Sequence, residues 1–291
     1  MRQGPSYTAA TMALQRALES NRPSATRLFC DPYAEAFTPG PLRLLARASR
    51  LWLVGPLAPR LFDLIGGPGP RPSAVARTRL IDDVVSEAGP TVEQVVILGA
   101  GFDTRAHRLS ALAGMPVFEV DHPATQAAKR SVVESLGLST ATVTYVAVDF
   151  ERQPLEQELR ACGLGTGLPS LFIWEGVTNY LSDSAVDETL LTIGRLAGPG
   201  SVLVFTYIDA GVLDGSVSFP EARRWLANVR RAGEPWIFGM APGDVAGFLG
   251  DRGFVLVSDV STKQAGERWF PALGRRERGS ALYHVAVART A

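Results

Sequence analysis

From Glu93 onward, the chain alternates between short apolar runs and segments whose apolar positions recur at helical spacing. The short runs are rich in β-branched residues and predict buried strands. They are Gln94–Leu98, Pro116–Val120, Val143–Val148, Ser170–Trp174, Ser201–Tyr207, Phe254–Ser258 and Ala281–Ala288. The helical segments among them are Thr104–Leu112, Ala124–Leu136, Leu155–Cys162, Ser184–Leu196 and Pro242–Arg252. This alternation predicts an α/β fold, with helices on both faces of a mostly parallel seven-stranded sheet.

The last two predicted strands follow one another with no clear helical pattern between them. Parallel neighbours need a crossover connection, which is usually a helix, whereas antiparallel strands do not. We therefore expect the final strand, Ala281–Ala288, to run antiparallel to its neighbours.

Helical patterns dominate the residues before Glu93. They occur in Thr8–Glu19, in Leu42–Ile65 and in Ser73–Glu87. The middle segment predicts one or two amphipathic helices, broken near Gly55 and Pro56, and residues 66–72 form a loop by composition. Asp31, which precedes a proline, is typical of a helix N-cap.

We expect residues 1–291 to form a single domain. Its predicted parts are a helical cap over 1–90, a cofactor-binding core over 91–208, an insertion over 209–240 and the end of the sheet over 241–291. Long ordered insertions in compact domains are usually lids or binding loops. This insertion carries aromatic residues that can cover a flat substrate, namely Phe219, Trp225, Trp236 and Phe238.

Composition narrows the class of protein and its partners. Apolar residues make up 46% and charged residues 20% of the chain, which is ordinary for a globular protein. The 29 basic and 29 acidic residues give no net attraction to nucleic acid or an anionic membrane. Two cysteines provide neither a disulfide framework nor a metal cluster. The N-terminus lacks a signal-peptide pattern, and arginines and prolines interrupt Leu42–Ile65 too often for a bilayer span. We expect a cytoplasmic protein.

The first functional signal is the stretch Val95–Arg105, where a buried strand runs into Gly99-Ala100-Gly101. The glycines let a ligand approach the backbone closely, and the helix start that follows favours anionic or polar ligand groups. A second predicted strand is followed by Asp121, whose carboxylate can accept both hydroxyls of a ribose. The pattern predicts a nucleoside-cofactor site.

Thr104 stands where a dinucleotide-binding turn has a third glycine or alanine. This substitution speaks against a nicotinamide-dependent oxidoreductase, although a Gly-x-Gly pattern alone does not settle the cofactor. We expect the residues on either side, Asp103 and Arg105, to pair with each other or to cap the helix.

Several longer stretches occur in a characteristic order. They are Asp31–Ala34, Gly99–Arg105 with Arg108-Leu109, Glu119–Pro123 with Lys129-Arg130, Asp149-Phe150, and Glu175–Thr178 with Tyr180-Leu181. In these motifs the chain, roughly from Thr8 to His284, resembles the leucine carboxyl methyltransferase family. It is most similar to the bacterial branch of S-adenosylmethionine-dependent O-methyltransferases, which includes polyketide-tailoring enzymes. The resemblance implies a class I, Rossmann-like methyltransferase fold and S-adenosylmethionine as the cofactor.

The resemblance also implies the residues that bind the cofactor. The candidates are Arg77, Gly99, Ala100, Gly101, Asp121, His122, Asp149, Phe150, Glu175 and Gly176. Asp121 would accept the ribose hydroxyls, and Asp149 with the backbone of Phe150 would bind the adenine. Glu175 would lie near the sulfonium and the amino-acid part of the cofactor. Arg77 would bind the cofactor carboxylate, for which a guanidinium is well suited.

Each of these side chains also has a purely structural interpretation. Asp121 fits a helix N-cap, Asp149 a solvated strand end and Glu175 a buried structural carboxylate. Arg77 fits a solvated helix face. In the predicted cap, Arg16 is a further candidate for a basic contact with the cofactor, by resemblance.

The acceptor site is less well defined by sequence. Tyr180 and His122 are the candidate catalytic residues, and Thr178 and Asn179 also lie close to Glu175 along the chain. A carboxylate acceptor is ionised at neutral pH and needs no base, whereas a phenol or alcohol needs one. The absence of an evident base favours a carboxylate, with His122 as the candidate base otherwise.

We therefore predict an O-methyltransferase that acts on a carboxylate of a small molecule or peptide, without a metal, a nucleic-acid partner or a membrane partner. A homodimer is one option for its assembly. The alternatives are O-methylation of a phenol or alcohol in secondary metabolism, an NAD(P)-dependent oxidoreductase, and a cofactor-binding protein without activity.

Overall fold

Within residues 6–51, 55, 57–67 and 69–291, which the structure describes, seven strands form one sheet. The strands of this computed structural model are β1 (Gln94–Leu98), β2 (Val117–Asp121), β3 (Val143–Ala147), β4 (Ser170–Trp174), β5 (Val202–Ile208), β6 (Phe254–Ser261) and β7 (Tyr283–Thr290). Their order is β3-β2-β1-β4-β5-β7-β6, with β1 to β5 parallel and β7 antiparallel to both of its neighbours. The predicted α/β sheet and its antiparallel last strand are confirmed.

The helices of the described residues lie before and between these strands. They are α1 (Tyr7–Ser20), α2 (Gly40–Ala48), α3 (Ala58–Gly66), α4 (Pro70–Ala88), α5 (Arg105–Arg108), α6 (Pro123–Ser135), α7 (Leu155–Ala161), α8 (Asp183–Leu196), α9 (Gly211–Asp214), α10 (Ala222–Arg231), α11 (Val245–Gly250) and α12 (Thr262–Trp269). Short 3₁₀ helices cover Ala34–Phe37, Gly89–Thr91, Ser110–Leu112, Thr178–Tyr180, Pro242–Asp244 and Pro271–Leu273.

The core lies on both faces of the sheet. Val96 and Leu98 of β1 pack into a cluster that includes α7, α8 and α11, whereas Val95 and Ile97 pack into a second cluster with α4. Because a central parallel strand is covered on both faces, its sequence is a continuous apolar run instead of an alternating one. Because of such runs, the positions of the central strands could be predicted closely from the sequence.

The cap differs from the prediction at its helix ends. The break near Gly55 is confirmed, since α2 and α3 are separate helices, and Pro56 lies outside the described residues. Helix α4 starts at Pro70, earlier than predicted, so the predicted 66–72 loop is shorter. Proline fits the first turn of a helix because the N–H groups there have no partner within the helix. The prediction of Asp31 as an N-cap was wrong, because Tyr33 is the N-cap of the 3₁₀ helix Ala34–Phe37. Oδ1 of Asp31 nevertheless accepts from the backbone N of Tyr33 and of Ala34, both at 3.1 Å.

Two predicted connections were wrong. Helix α12 lies between β6 and β7, where no helix was expected, because its sequence has few apolar positions at helical spacing. Ser261 and Gln264 form a capping box at its start, which was the available signal. The predicted helix Thr104–Leu112 is also interrupted: α5 ends at Arg108, and the extended backbone of Leu109 separates it from a 3₁₀ turn.

The insertion over residues 209–240 contains α9 and α10. It contacts the cap, since Nη2 of Arg224 in α10 donates to the carbonyl of Leu64 in α3 at 2.7 Å. No helix within the described part of the chain has the length and hydropathy needed to cross a membrane.

Candidate active site

A cavity of about 910 Å³ opens at the C-terminal ends of β1, β2, β3 and β4. Ligands of parallel α/β sheets bind at this edge. The cavity is lined by every predicted cofactor-binding and catalytic residue, namely Arg77, Gly99, Ala100, Gly101, Asp121, His122, Asp149, Phe150, Glu175, Gly176 and Tyr180. The structure thus brings together residues that are widely separated along the chain, although their roles stay predictions.

The turn after β1 approaches its neighbours closely. Gly99 has a φ of +64°, and a Cβ at this position would lie 2.2 Å from Cγ2 of Val177. Gly101 has a φ of +47°, and its backbone N donates to Oδ2 of Asp121. Both positions require glycine, so the turn is fixed by conformation and by its bond to the end of β2.

Asp121 is held by backbone donors at the end of β2. In addition to the bond from Gly101, Oδ1 accepts from the backbone N of His122 at 2.6 Å. Burial raises the pKa of Asp121 above its ordinary value, although these two bonds oppose the shift. The N-cap of α6 is His122, so the alternative interpretation of Asp121 as that N-cap is wrong.

Glu175 follows β4 and joins two arginines. Its Oε1 accepts from Nε of Arg77 at 2.7 Å, and its Oε2 accepts from Nη1 of Arg105 at 2.6 Å. Burial alone would raise the pKa of Glu175, but the charges of Arg105 and Arg77 outweigh it and lower the pKa below its ordinary value. Glu175 is therefore an ionised carboxylate at neutral pH.

Arg105 is the centre of this ion-pair network. Its Nε donates to Oδ1 of Asp82 at 2.8 Å, and its Nη1 also donates to Oδ2 of Asp103 at 2.5 Å. The predicted pairing of Asp103 with Arg105 is confirmed. The contacts with Asp82 and Glu175 join α4 and the end of β4 to the glycine turn.

Arg77 in α4 is buried, so the interpretation of a solvated helix face is wrong. Its guanidinium carbon lies 4.9 Å from the ring centre of Tyr283, and its Nη2 lies 3.5 Å from the sulfur of Met12. Among the residues that the structure describes, Nη1 of Arg77 has no hydrogen-bond partner. The side chain is oriented by Glu175 and Tyr283 and keeps donors for a ligand.

Asp149 and Phe150 follow β3. The side chain of Asp149 is 33% exposed, and its Oδ1 accepts from the backbone N of Glu151 at 3.1 Å. Phe150 packs against the core cluster beneath α8. Asp149 is therefore both a partly solvated strand end and a cavity residue.

Known proteins resemble this chain in sequence and in fold. Residues 9–194 match the family model of the leucine carboxyl methyltransferases. The chain belongs to the leucine carboxyl methyltransferase family. A Streptomyces coelicolor protein, assigned by name to the S-adenosyl-L-methionine-dependent methyltransferases, is 35% identical over 242 residues, covering 80% of this chain and 81% of that one. A Mycobacterium avium protein of the same designation is 31% identical over 289 residues, covering 94% and 90%.

Solved structures show the same fold. A Thermobifida fusca protein described as a methyltransferase has a TM-score of 0.60 at 18% identity, covering 99% of this chain and 95% of that one. A Streptomyces avermitilis protein has a TM-score of 0.58 at 17% identity, covering 99% and 98%. The family and the sequence relatives identify this chain as an S-adenosylmethionine-dependent methyltransferase, which excludes the oxidoreductase alternative. The solved structures show its class I fold.

The cavity of this leucine carboxyl methyltransferase family member fits S-adenosylmethionine. Gly176 has a φ of +71°, and a Cβ there would stand 3.7 Å from Nη2 and 4.0 Å from Nη1 of Arg77, in the space before the guanidinium. A cation with unsatisfied donors suits the cofactor carboxylate, and the carboxylate of Asp121 suits the ribose hydroxyls. When bound, the cofactor supplies a methyl group on a positively charged sulfur.

The two candidate catalytic residues, Tyr180 and His122, both line the cavity. Tyr180 ends a 3₁₀ helix after β4, and burial raises the pKa of its hydroxyl above the ordinary value, so it is a hydrogen-bond donor at neutral pH. Nδ1 of His122 accepts from the backbone N of Ala124 at 3.3 Å. In the neutral ring this places the proton on Nε2, and the lone pair of Nδ1 is engaged by the backbone donor and not directed to an acceptor.

Other candidates have structural partners. Thr178 donates through Oγ1 to the carbonyl of Thr206 at 2.6 Å, and Oδ1 of Asn179 accepts from the hydroxyl of Tyr283 at 3.3 Å. Both are buried in the scaffold and do not line the cavity. Arg16 does line the cavity.

The guanidinium of Arg16 ties α1 to the glycine turn. Its Nε donates to Asp31 at 2.8 Å, and its Nη2 donates to the carbonyl of Phe102 at 2.5 Å. The predicted contact of Arg16 with the cofactor stays a prediction.

Sequence reasoning missed one half of the cavity, which has an apolar wall. Its wall is formed by the cap helices α2 and α3 and by α10 of the insertion, through Leu42, Leu45, Phe62, Trp225 and Val229. The insertion was predicted as a lid, but no spacing in the sequence indicated that α2 and α3 face it. Of the predicted lid aromatics, Trp225 and Trp236 line the cavity, whereas Phe238 lies in the core.

Glu234 is a buried carboxylate in this half that the sequence did not indicate. Its Oε1 accepts from Oγ of Ser6 at 3.0 Å, and its Oε2 accepts from Oγ1 of Thr8. The two contacts join the end of the insertion to the start of α1. Within the described ranges, His, Cys, Asp and Glu side chains form no group of three or more that could hold a metal ion.

Proposed function

We propose that this methyltransferase methylates an oxygen atom of a small molecule bound in the apolar half of the cavity. The observation that carries this proposal is the continuity of the cavity. One space extends from Asp121 and Arg77 at the strand ends to the apolar wall formed by α2, α3 and α10. Methyl transfer needs the two reactants to be positioned together with water excluded, and a shared cavity with an apolar wall serves both needs.

The leading acceptor is a carboxylate. A carboxylate is ionised at neutral pH and needs no base, and the ring of His122 is already occupied at Nδ1. The protonated hydroxyl of Tyr180 is a donor that suits an anionic acceptor oxygen. Family membership supports the same acceptor class.

One specific observation favours a second candidate, a phenol or alcohol. The buried carboxylate of Glu234 lies in the apolar half of the cavity, beside Ser6 and Thr8. A carboxylate there suits the proton of a hydroxyl acceptor and repels an anionic one. The acceptor class is therefore decided by whether Glu234 takes part in the reaction.

The experiment is a methyl-transfer assay with S-adenosylmethionine and a panel of aromatic and aliphatic carboxylic acids, each matched by the phenol or alcohol of the same skeleton. Products are treated with alkali, which releases methanol from a methyl ester and leaves a methyl ether intact. We expect alkali-labile products. Alkali-stable products would establish the hydroxyl acceptor, and transfer to neither class would contradict O-methylation.

The variant Glu234→Gln separates the two candidates further. For a carboxylate acceptor, it leaves the pH profile of kcat essentially unchanged, because no base is needed. For a hydroxyl acceptor, it lowers kcat by about 100-fold or more, the usual contribution of a general base. Thr125→Val, at a buried hydroxyl outside the cavity, is the control for a general effect of a buried polar substitution.

The finer sequence predictions stay predictions. They concern a role in secondary metabolism, a cytoplasmic location, a peptide as an alternative acceptor, and a homodimer. Analytical ultracentrifugation of the full chain tests the last of these directly.

A further inference from the structure

Helices α2 and α3 are apolar on two opposite sides. On the inner side, Leu42, Leu45 and Phe62 line the cavity. On the outer side lie five exposed leucines, which we call the leucine face: Leu44, Leu51, Leu57, Leu61 and Leu64. These residues are between 50% and 72% exposed. A single exposed leucine needs no explanation, but five of them on two neighbouring short helices do.

The spacing of these leucines makes two stripes. Leu57, Leu61 and Leu64 follow the i, i+4, i+7 pattern of one side of a helix, with Leu57 as the N-cap of α3 and the other two within it. Leu44 and Leu51 are also one i, i+7 step apart, at α2 and the turn after it, where the N–H of Leu51 donates to the carbonyl of Ala48 at 3.0 Å. Because α2 and α3 both turn their other side to the cavity, the stripes face away from it.

The charge beside the leucine face is positive. Arg47 and Arg50, whose side chains are 61% and 59% exposed, share one carboxylate, that of Glu35, at 3.2 and 2.8 Å. Arg60 lies exposed within the α3 stripe. Asp63, the acid of α3, is already paired with a buried arginine of α4. Exposed leucines interspersed with arginines are complementary to an anionic lipid surface, which offers hydrocarbon and negative headgroups together.

We propose that the leucine face docks on an anionic lipid surface, with α2 and α3 lying in its interfacial plane. Each helix has nine residues, far fewer than a bilayer span needs, but short amphipathic helices bind in the interface. The expectation of no membrane partner came from the net charge of the whole chain, which averages out this local positive patch. If the proposed function also holds, docking places the apolar half of the cavity next to the lipid, and the acceptor is a lipophilic molecule.

The test is flotation of the full chain with vesicles of phosphatidylcholine alone and of equal parts phosphatidylcholine and phosphatidylglycerol. We expect stronger binding to the second vesicles, weakened by salt because exposed charges are screened. The double variant Leu61→Gln with Leu64→Gln should bind more than about tenfold more weakly, since two leucines lose their apolar contact. Glutamine keeps the helix propensity of leucine, so α3 is preserved.

A charge variant tests the proposed attraction between the arginines beside the leucine face and the anionic headgroups. Arg60→Gln should weaken binding about fivefold on the anionic vesicles, the usual contribution of one basic residue near such a surface, and leave binding to pure phosphatidylcholine unchanged.

The matched control for the double leucine variant is Val255→Thr with Val257→Thr, at two valines that are 58% and 57% exposed on the edge strand β6. Threonine suits a strand, and this control should float like the unchanged chain.

Three outcomes would overturn the proposal: no binding to either vesicle, equal loss of binding in the valine control, or a dimer that the double leucine variant dissociates. The last result would show that a second copy of the chain covers the leucine face. Flotation needs no acceptor and no turnover. Failure of lipid docking is therefore distinguishable from failure of the proposed methyl transfer.

Discussion

The two halves of the cavity are built in different ways. The half that we propose holds the cofactor, the cofactor half, consists of strand ends and tight turns. It is held by charged hydrogen bonds among largely buried groups such as Asp121, Glu175 and Arg105. The half that we propose holds the acceptor, the acceptor half, is lined by side chains of α2, α3 and α10, for example Leu45 and Trp225. The first half depends on hydrogen-bond geometry and the second on the shape of apolar surfaces.

This difference would allow one cofactor site to be combined with different acceptor sites. A charge-assisted hydrogen bond tolerates little displacement, so the cofactor half can change little without losing its ligand. Apolar packing tolerates exchange of one side chain for another of similar volume. The apolar half can therefore adapt to a new acceptor while Asp121 and Arg77 stay in place.

The largest expected effect is that of removing Arg105. Arg105→Met leaves the carboxylates of Asp82, Asp103 and Glu175 without their shared cation in a buried site. Removing one partner of a buried ion pair typically costs about 3–5 kcal/mol, so we expect the free energy of unfolding in urea to fall by this amount. A loss below about 1 kcal/mol would mean that the network contributes little to the cofactor half.

The matched control for this variant is Arg160→Met. Arg160 pairs with Glu156 at 2.9 Å on the surface of α7, and its side chain is 46% exposed. Surface pairs contribute about 0–1 kcal/mol, so the control should unfold almost like the unchanged chain. The contrast between the two arginines measures how much burial adds to an ion pair.

The second expected effect separates the two halves by binding. Asp121→Asn removes a carboxylate that would accept the ribose hydroxyls, and bonds to charged groups contribute about 1.5–3 kcal/mol. We expect the affinity for S-adenosylhomocysteine, measured by calorimetry, to fall about tenfold or more. Leu45→Ala, in the apolar half, should leave this affinity unchanged and lower kcat/KM for the acceptor. Equal cofactor losses in both variants would show that the halves are not separable.

The cofactor half could be predicted from sequence because its residues follow buried strands. Asp121 and Asp149 come directly after apolar runs, and parallel strands end at a common edge. The partners of Arg105 were visible only in part. Asp103 is two positions away, whereas Asp82 and Glu175 are separated from Arg105 by 23 and 70 residues. Pairings at such distances depend on the packing of α4 against the sheet.

The acceptor half could not be predicted in the same way. The contact between α3 and α10 joins Leu64 to Arg224 across 160 residues, and neither segment carries a motif for it. Glu234 lies in the insertion without a strand before it. Helix α12 was missed because its capping box is a weaker signal than apolar periodicity. Tertiary packing determined these features, and local sequence did not.

The smallest expected effect is on the pH dependence of stability. The charges of Arg105 and Arg77 overcome burial and hold the pKa of Glu175 below its ordinary value of 4.5 in the folded chain. Ionised Glu175 therefore adds stability at pH values above 4.5, and this contribution is lost as the pH falls through the lower folded pKa. The unchanged chain should lose stability over this window, as measured by urea unfolding at a series of pH values.

The variants Glu175→Gln and Leu45→Ala turn this pH dependence into a comparison of the two halves. The stability gap between the unchanged chain and Glu175→Gln should narrow as the pH falls below 4.5, because protonation removes the charge that the variant lacks. The gap for Leu45→Ala should stay constant, since no ionisable group is changed. Parallel curves for both variants would show that Glu175 does not have a lowered pKa, and the electrostatic difference between the halves would then be smaller than its ion pairs indicate.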